Sequence, residues 1–175
     1  MSDTLITVVA IVLAAVLIFV VPVITMADRF DETAQANVEA ITSEFVEEIR
    51  ATGKLTQEKY NKFLENLSST GYTYDVNMEF KIQDENPGKK TTQTTNDKIG
   101  ENVSYSVYTS QIEEELEKNK DHTYTLKQGD FISVTIKNTN LTLAQQMKDF
   151  VYKIVGNDNY TIVTTQGGLV QANSK

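Results

Sequence analysis

Residues 5–27 read LITVVAIVLAAVLIFVVPVITMA, twenty-three consecutive positions without a charged side chain. A helix rises about 1.5 Å per residue, so this run covers the ~30 Å hydrocarbon layer of a bilayer with some tilt. A core helix of a soluble domain is rarely so long or so uniformly apolar, and the expected partner of this segment is therefore lipid. The competing reading is a cleaved export signal. Thr25-Met26-Ala27 offers a small-x-small cleavage pattern before Asp28, but residues 1–4, MSDT, lack the basic side chain of a signal, and the apolar run exceeds the usual 7–15 residues. Pro22 lies inside the run, where it removes a backbone donor; it is either a tolerated kink or a point at which the helix can bend or melt.

Outward from this segment, Phe30, Ala34, Val38, Ile41, Phe45 and Ile49 recur at spacings of four, four, three, four and four. That is one apolar stripe on a helix, with Glu39, Glu44, Glu47 and Glu48 mostly on other faces. No Gly or Pro interrupts residues 28–52, so the membrane helix is expected to continue as a stalk to about Ala51 and to stop at Gly53. The chain thus divides into a membrane helix at 1–27, a stalk helix at 28–53 and an extracytoplasmic α+β domain at 54–175. The stripe is either packed under its own sheet or available to neighbours.

Thr56 caps a second expected helix in which Tyr60, Phe63, Leu64 and Leu67 share a side, ending before Gly71. Residues 72–82 alternate strictly between apolar and polar, the pattern of a half-buried strand and the strongest strand signal in the chain. Residues 83–101 are a polar loop. Ser110 and Glu113 suggest a capping box for a short acidic helix with Ile112 and Leu116 inward. Residues 122–127 and 131–137 read as strands of a hairpin around Gln128-Gly129-Asp130. A helix follows after Asn140, with Leu143, Met147, Phe150, Val151 and Ile154 on one face and Gly156 as its stop. The last strand is expected at residues 160–165, closed by a Gly167-Gly168 turn. The resulting fold class is α+β, a small antiparallel sheet packed with helices behind a transmembrane and stalk helix.

Composition narrows the chemistry. The 175 residues carry a net charge of −8; residues 1–27 hold one acid, Asp3, and no base, leaving 16 bases against 23 acids beyond them. A basic nucleic-acid face is not expected, and anionic lipid headgroups are disfavoured partners. With no cysteine, disulfides and thiolate chemistry are excluded, and a single histidine, His122, rules out a multi-His metal site. Glu113-Glu114-Glu115 cannot converge on one ion, because consecutive helical residues point about 100° apart. Asp84-Glu85-Asn86 lacks further spaced oxygen ligands. No G-x-S-x-G elbow surrounds any serine. No catalytic residue, cofactor site or metal site is expected. The N-x-S/T sequons at Asn66, Asn102, Asn140 and Asn159 matter only in a glycosylating host.

An apolar N-terminal helix, a continuous stalk and a small helix-packed sheet resemble type IV pilin-like proteins, and more specifically the small TadE-like pseudopilins of tight-adherence pilus systems in Firmicutes. The residues carrying this likeness are FVEEIRATGKLT at 45–56, residues 60–71, Tyr74-Asp75-Val76, Gln128-Gly129-Asp130-Phe131 and Gly167-Gly168. The resemblance implies a structural, non-enzymatic subunit of a surface pilus or secretion apparatus. Its partners would be the bilayer and other pilin-like subunits, with self-assembly through the apolar helix and the domain outside the cytoplasm. The charge rule has only Arg29 to work with and weakly favours the opposite orientation. Prepilins carry a Gly before their cleavage point and a Glu five residues into the mature helix; this chain has neither. Asp3 is the only acid near the start and would take the glutamate's place by neutralising a neighbour's α-amino group. The alternative expectation is an anchored extracytoplasmic binding or accessory module of a secretion or conjugation system, with a groove near the 83–101 loop.

Overall fold

The computed structural model describes residues 2–84, 104–140, 142, 146 and 162–172. Its first element, α1, is a single helix, Ser2–Thr52, that runs through Pro22 without a break. Gly53 ends it with a positive φ of 64°, donating its N–H to Ile49 O at 2.7 Å; this left-handed cap is the role glycine fills at a helix C-terminus.

Two small layers surround the C-terminal half of α1. β1 (Lys54–Thr56) leads directly into α2 (Gln57–Ser68), with Thr56 Oγ1 accepting the Lys59 N–H at 3.2 Å as the expected N-cap. Tyr60, Phe63 and Leu67 are buried and Leu64 is half-buried, the face expected from their spacing. Phe63 stacks on Phe45 of α1 with ring centroids 4.0 Å apart. β2 (Tyr74–Gln83) is the alternating strand: Met78 and Phe80 are fully inside, and Gln83, expected to open the following loop, is its last residue. Of the loop expected at 83–101, residues 85–101 lie outside the described residues, as do 102 and 103.

β3 (Ser104–Tyr108), β2, β5 (Phe131–Asn138) and β6 (Val163–Leu169) form an antiparallel sheet in the order β3-β2-β5-β6. Ile132, Val134 and Ile136 of β5 face inward beside Met78 and Phe80, onto α1. α3 (Thr109–Lys118) follows β3 and inserts Ile112 and Leu116 into the same core. Across the top of that core, Tyr60 Oη donates to Glu113 Oε1 at 2.7 Å, joining α2 to α3. Burial first, and this carboxylate second, push the Tyr60 phenol well above its ordinary value.

Three sequence expectations are corrected. First, 122–127 and 131–137 do not form a hairpin. β4 (Thr123–Thr125) pairs instead with β1, Leu55 opposite Tyr124, in a separate two-stranded sheet. The Gln128-Gly129-Asp130 turn redirects the chain between sheets: Gly129 has φ +94°, and buried Asp130 accepts the N–H groups of Lys127 at 2.7 Å and of Gln83 at 3.0 Å. Second, Gly167 and Gly168 are not a turn but the middle of β6, opposite Ser133 and Ile132. A Cβ at Gly168 would stand 2.5 Å from Arg50 Nε, so glycine there serves the close approach of an arginine. Third, α3 starts at Thr109 rather than after Ser110. Gln111 Oε1 accepts the Tyr108 N–H at 3.1 Å, while Thr109 Oγ1 accepts the Met78 N–H at 2.7 Å and ties the helix start to β2. β1 and β3 have no counterpart in the sequence reading. The helix expected after Asn140 lies outside the described residues, apart from Thr142 and Gln146; β6 begins at Val163, three residues later than expected, with 160 and 161 also outside.

Candidate functional site

The assembly residues singled out in the sequence all lie on α1, and the structure divides them between two environments. From Leu5 to Met26 the helix is exposed almost throughout, with only Val20 and Ile24 partly covered. An apolar surface of that size is not left to water by a folded protein and calls for a nonaqueous neighbour. Asp3 stands in the first turn, where a negative charge complements the positive end of the helix dipole; its backbone carbonyl accepts the Thr7 hydroxyl at 2.7 Å. Pro22 sits deep in this exposed half.

Beyond it, Ala34, Val38, Phe45 and Ile49 are buried under the sheet and α2, and Ile41 is half-buried. Phe30 is different: it is 65% exposed, one turn after the apolar run ends. Val46 and Thr42, absent from the expected stripe, are also buried, so the covered face is wider than a strict four-three repeat. Thr42 is accommodated by donating its hydroxyl to Val38 O at 2.6 Å.

α1 also closes an edge of the sheet. In β6 the backbone groups of Val163 and Leu169 point away from β5, because the even-numbered residues from 162 carry the bonds to it. Gln35 Nε2 donates to Val163 O at 3.1 Å and Arg50 Nε donates to Leu169 O at 2.9 Å. Fifteen helical residues rise about 22 Å, close to the ~20 Å that six strand residues span. Helix and strand therefore run side by side with a side-chain clamp at each end, a cover for an edge that would otherwise invite pairing. At the distal end Arg50 O accepts Gln171 N–H at 2.9 Å, and Gly53 O accepts Leu126 N–H at 2.8 Å.

Where the helix enters the domain, Asp31 is 2% exposed, a burial that nothing in its sequence context signalled. Tyr72 Oη donates to its Oδ1 at 3.1 Å and Thr142 Oγ1 to its Oδ2 at 2.9 Å. These donors satisfy a carboxylate that would otherwise be costly to bury. Burial, and then the Asp31 charge, raise the Tyr72 phenol above its ordinary value. A cleft of about 370 Å³ opens beside this pair, between α1 and the α2–β2 loop, with Ala27, Phe30, Thr33, Ser69 and Tyr72 on its walls. A second, more polar cleft of about 420 Å³ lies at the distal end, among Gln83, Tyr105, Glu115, Tyr124 and Lys127. Among the described residues, no group of three or more His, Asp or Glu is arranged to hold a metal ion.

The molecule is thus an apolar, membrane-associated helix leading into a small sheet-and-helix domain, the architecture of an anchored accessory or structural subunit. Compared with known protein families, with curated proteins and with solved structures, the chain matches none.

Proposed function

We propose that this chain is a pilin-like structural subunit, non-enzymatic, whose exposed helix packs with neighbouring copies and whose α+β domain lies outside the cytoplasm. The observation that carries the reading is the division of α1: a folded domain is built around one half, and the other half is an apolar rod left largely exposed among the described residues. Such a rod can exchange lipid for the helices of other subunits without unfolding the domain. Retention of the rod is supported by its sequence, since residues 1–4 lack the basic side chain of an export signal and the apolar run exceeds the usual 7–15 residues. Asp3, at the start of the rod, would pair with a neighbour's α-amino group, an interaction strengthened by apolar surroundings.

Shearing cells that make this protein and probing the sheared filaments tests the reading. Full-length chain in the filament fraction, lost on Asp3→Asn, is the expected result. Chain confined to the membrane in both forms would contradict polymerisation.

The distal cleft favours a second reading, an anchored binding or accessory module of a secretion or conjugation apparatus. Under it the protein stays monomeric in the bilayer and is indifferent to Asp3→Asn, while Tyr105→Ala in the cleft wall disables it.

A further inference from the structure

The helix beyond the apolar run is not a free stalk. Ala27 is already buried, and Asp31, one turn on, is held by Tyr72 from the α2–β2 loop and by Thr142. Four helical residues rise about 6 Å, so this loop comes level with the helix only one turn past the last position of the apolar run. Nothing in the described chain gives the domain a hinge with which to stand away from that level: α1 continues unbroken through it, and Gln35 and Arg50 fasten the helix along β6.

We infer that the membrane-proximal end of the domain, the segment 69–73 together with Phe30, is a lipid-contacting surface that rests in the headgroup layer of the bilayer spanned by α1. The inference depends on α1 being a membrane span, and goes beyond it by placing the folded domain in contact with lipid. Three features fit this occupant. Phe30 is exposed immediately above Met26, which is itself exposed, so the apolar surface of the rod continues onto the domain's rim. Tyr72 is half-buried at the same level with its hydroxyl turned to Asp31, so what it leaves on the rim is part of an aromatic residue, a type that favours the membrane–water boundary. The cleft between them mixes an apolar floor, Ala27 and Ala34, with the hydroxyls of Thr33, Ser69 and Thr70. No Lys or Arg lines it, and the chain beyond residue 27 is acidic, so the chemistry suits zwitterionic or uncharged headgroups rather than anionic ones.

The absence of native cysteine allows single spin labels to test the placement on the full-length chain in phosphatidylcholine nanodiscs. Leu17→Cys reports the rod, Ser69→Cys the proposed contact, and Gln128→Cys the far end of the domain. The collision rates of each label with lipid-soluble oxygen and with a water-soluble nickel chelate are compared. The expected result is oxygen-dominated collision at residue 17, strong loss of nickel access at 69 and full nickel access at 128. A lipid-buried label at 17 with residue 69 as open to nickel as residue 128 would overturn the contact while leaving the span intact. A label at 17 open to nickel would overturn the span, and this inference with it.

Discussion

The two halves of α1 are built from similar apolar residues and meet opposite fates. Val8, Leu13 and Leu17 are more than half exposed; Val38, Phe45 and Ile49 are sealed inside the domain. What separates them is the spacing of polar residues. Residues 5–27 are apolar on every face, which suits an apolar solvent on every side, whereas residues 31–50 confine apolar side chains to one broad face and put glutamates on the rest. A single helix can therefore be solvated by lipid at one end and by its own protein at the other. The comparison also locates the boundary between the two, at Ala27 to Asp31.

Core truncations should break the comparison most visibly. Phe80→Ala, at the centre of the sheet, is expected to destabilise the domain by about 3–5 kcal/mol, and Ile49→Ala by about 2–5 kcal/mol. Leu17→Ala in the other half should leave the domain's denaturant midpoint unchanged. Urea unfolding of the detergent-solubilised proteins checks all three, and a loss at Leu17 comparable with that at Ile49 would erase the distinction between the halves.

A smaller effect is expected where helix and strand touch. Gly168→Ala places a methyl where the Arg50 guanidinium now lies; that side chain can swing aside, so the expected cost is its bond to Leu169 O, about 0.5–1.5 kcal/mol. Arg50→Ala removes the same bond, so adding Gly168→Ala to it should cost little more; fully additive losses in melting temperature would argue against the close approach. Thr56→Ala, which removes the α2 cap, should cost about 1 kcal/mol in the same assay.

Alkaline pH supplies a subtler probe. The phenols of Tyr60 and Tyr124 are both raised, chiefly by burial, above their unfolded value near 10. An acid whose folded pKa is raised keeps its proton longer in the native state, so the native state binds more protons than the unfolded one above pH 10. Stability is then fully present below pH 10 and falls as pH rises toward the folded values. Tyr60→Phe should flatten part of this alkaline decline, at a neutral-pH cost of about 0.5–1.5 kcal/mol for the lost bond to Glu113. An unchanged slope between pH 9 and 11 would contradict the burial of that hydroxyl.

The sequence revealed elements whose side chains declare their surroundings locally. The period of α1, the cap at Thr56 and the alternation in β2 each require only neighbouring residues to interpret. The errors arose where distant segments decide the outcome. Lys54–Thr56 is too short to show a period, and Thr123–Thr125, legible as a strand, carries no local sign that its partner is Lys54–Thr56 rather than the next strand. Gly167-Gly168 reads as a turn until Arg50, more than a hundred residues earlier, is seen lying against it. Nothing near Asp31 in the sequence marks it as buried, because its burial depends on hydroxyls from the distant Tyr72 and Thr142. For the candidate assembly surface, the stripe from Ala34 to Ile49 was legible as a face but not as an occupied one, because a helical period does not say what covers it.

The central claim, that one uncut helix joins a membrane rod to a folded domain, is tested most directly by intact mass. Membrane, sheared-filament and medium fractions from cells making the protein would each be measured. The account predicts the full 19.6 kDa chain, apolar segment included, in the membrane or filament fraction. A form beginning at Asp28 and recovered from the medium would contradict it.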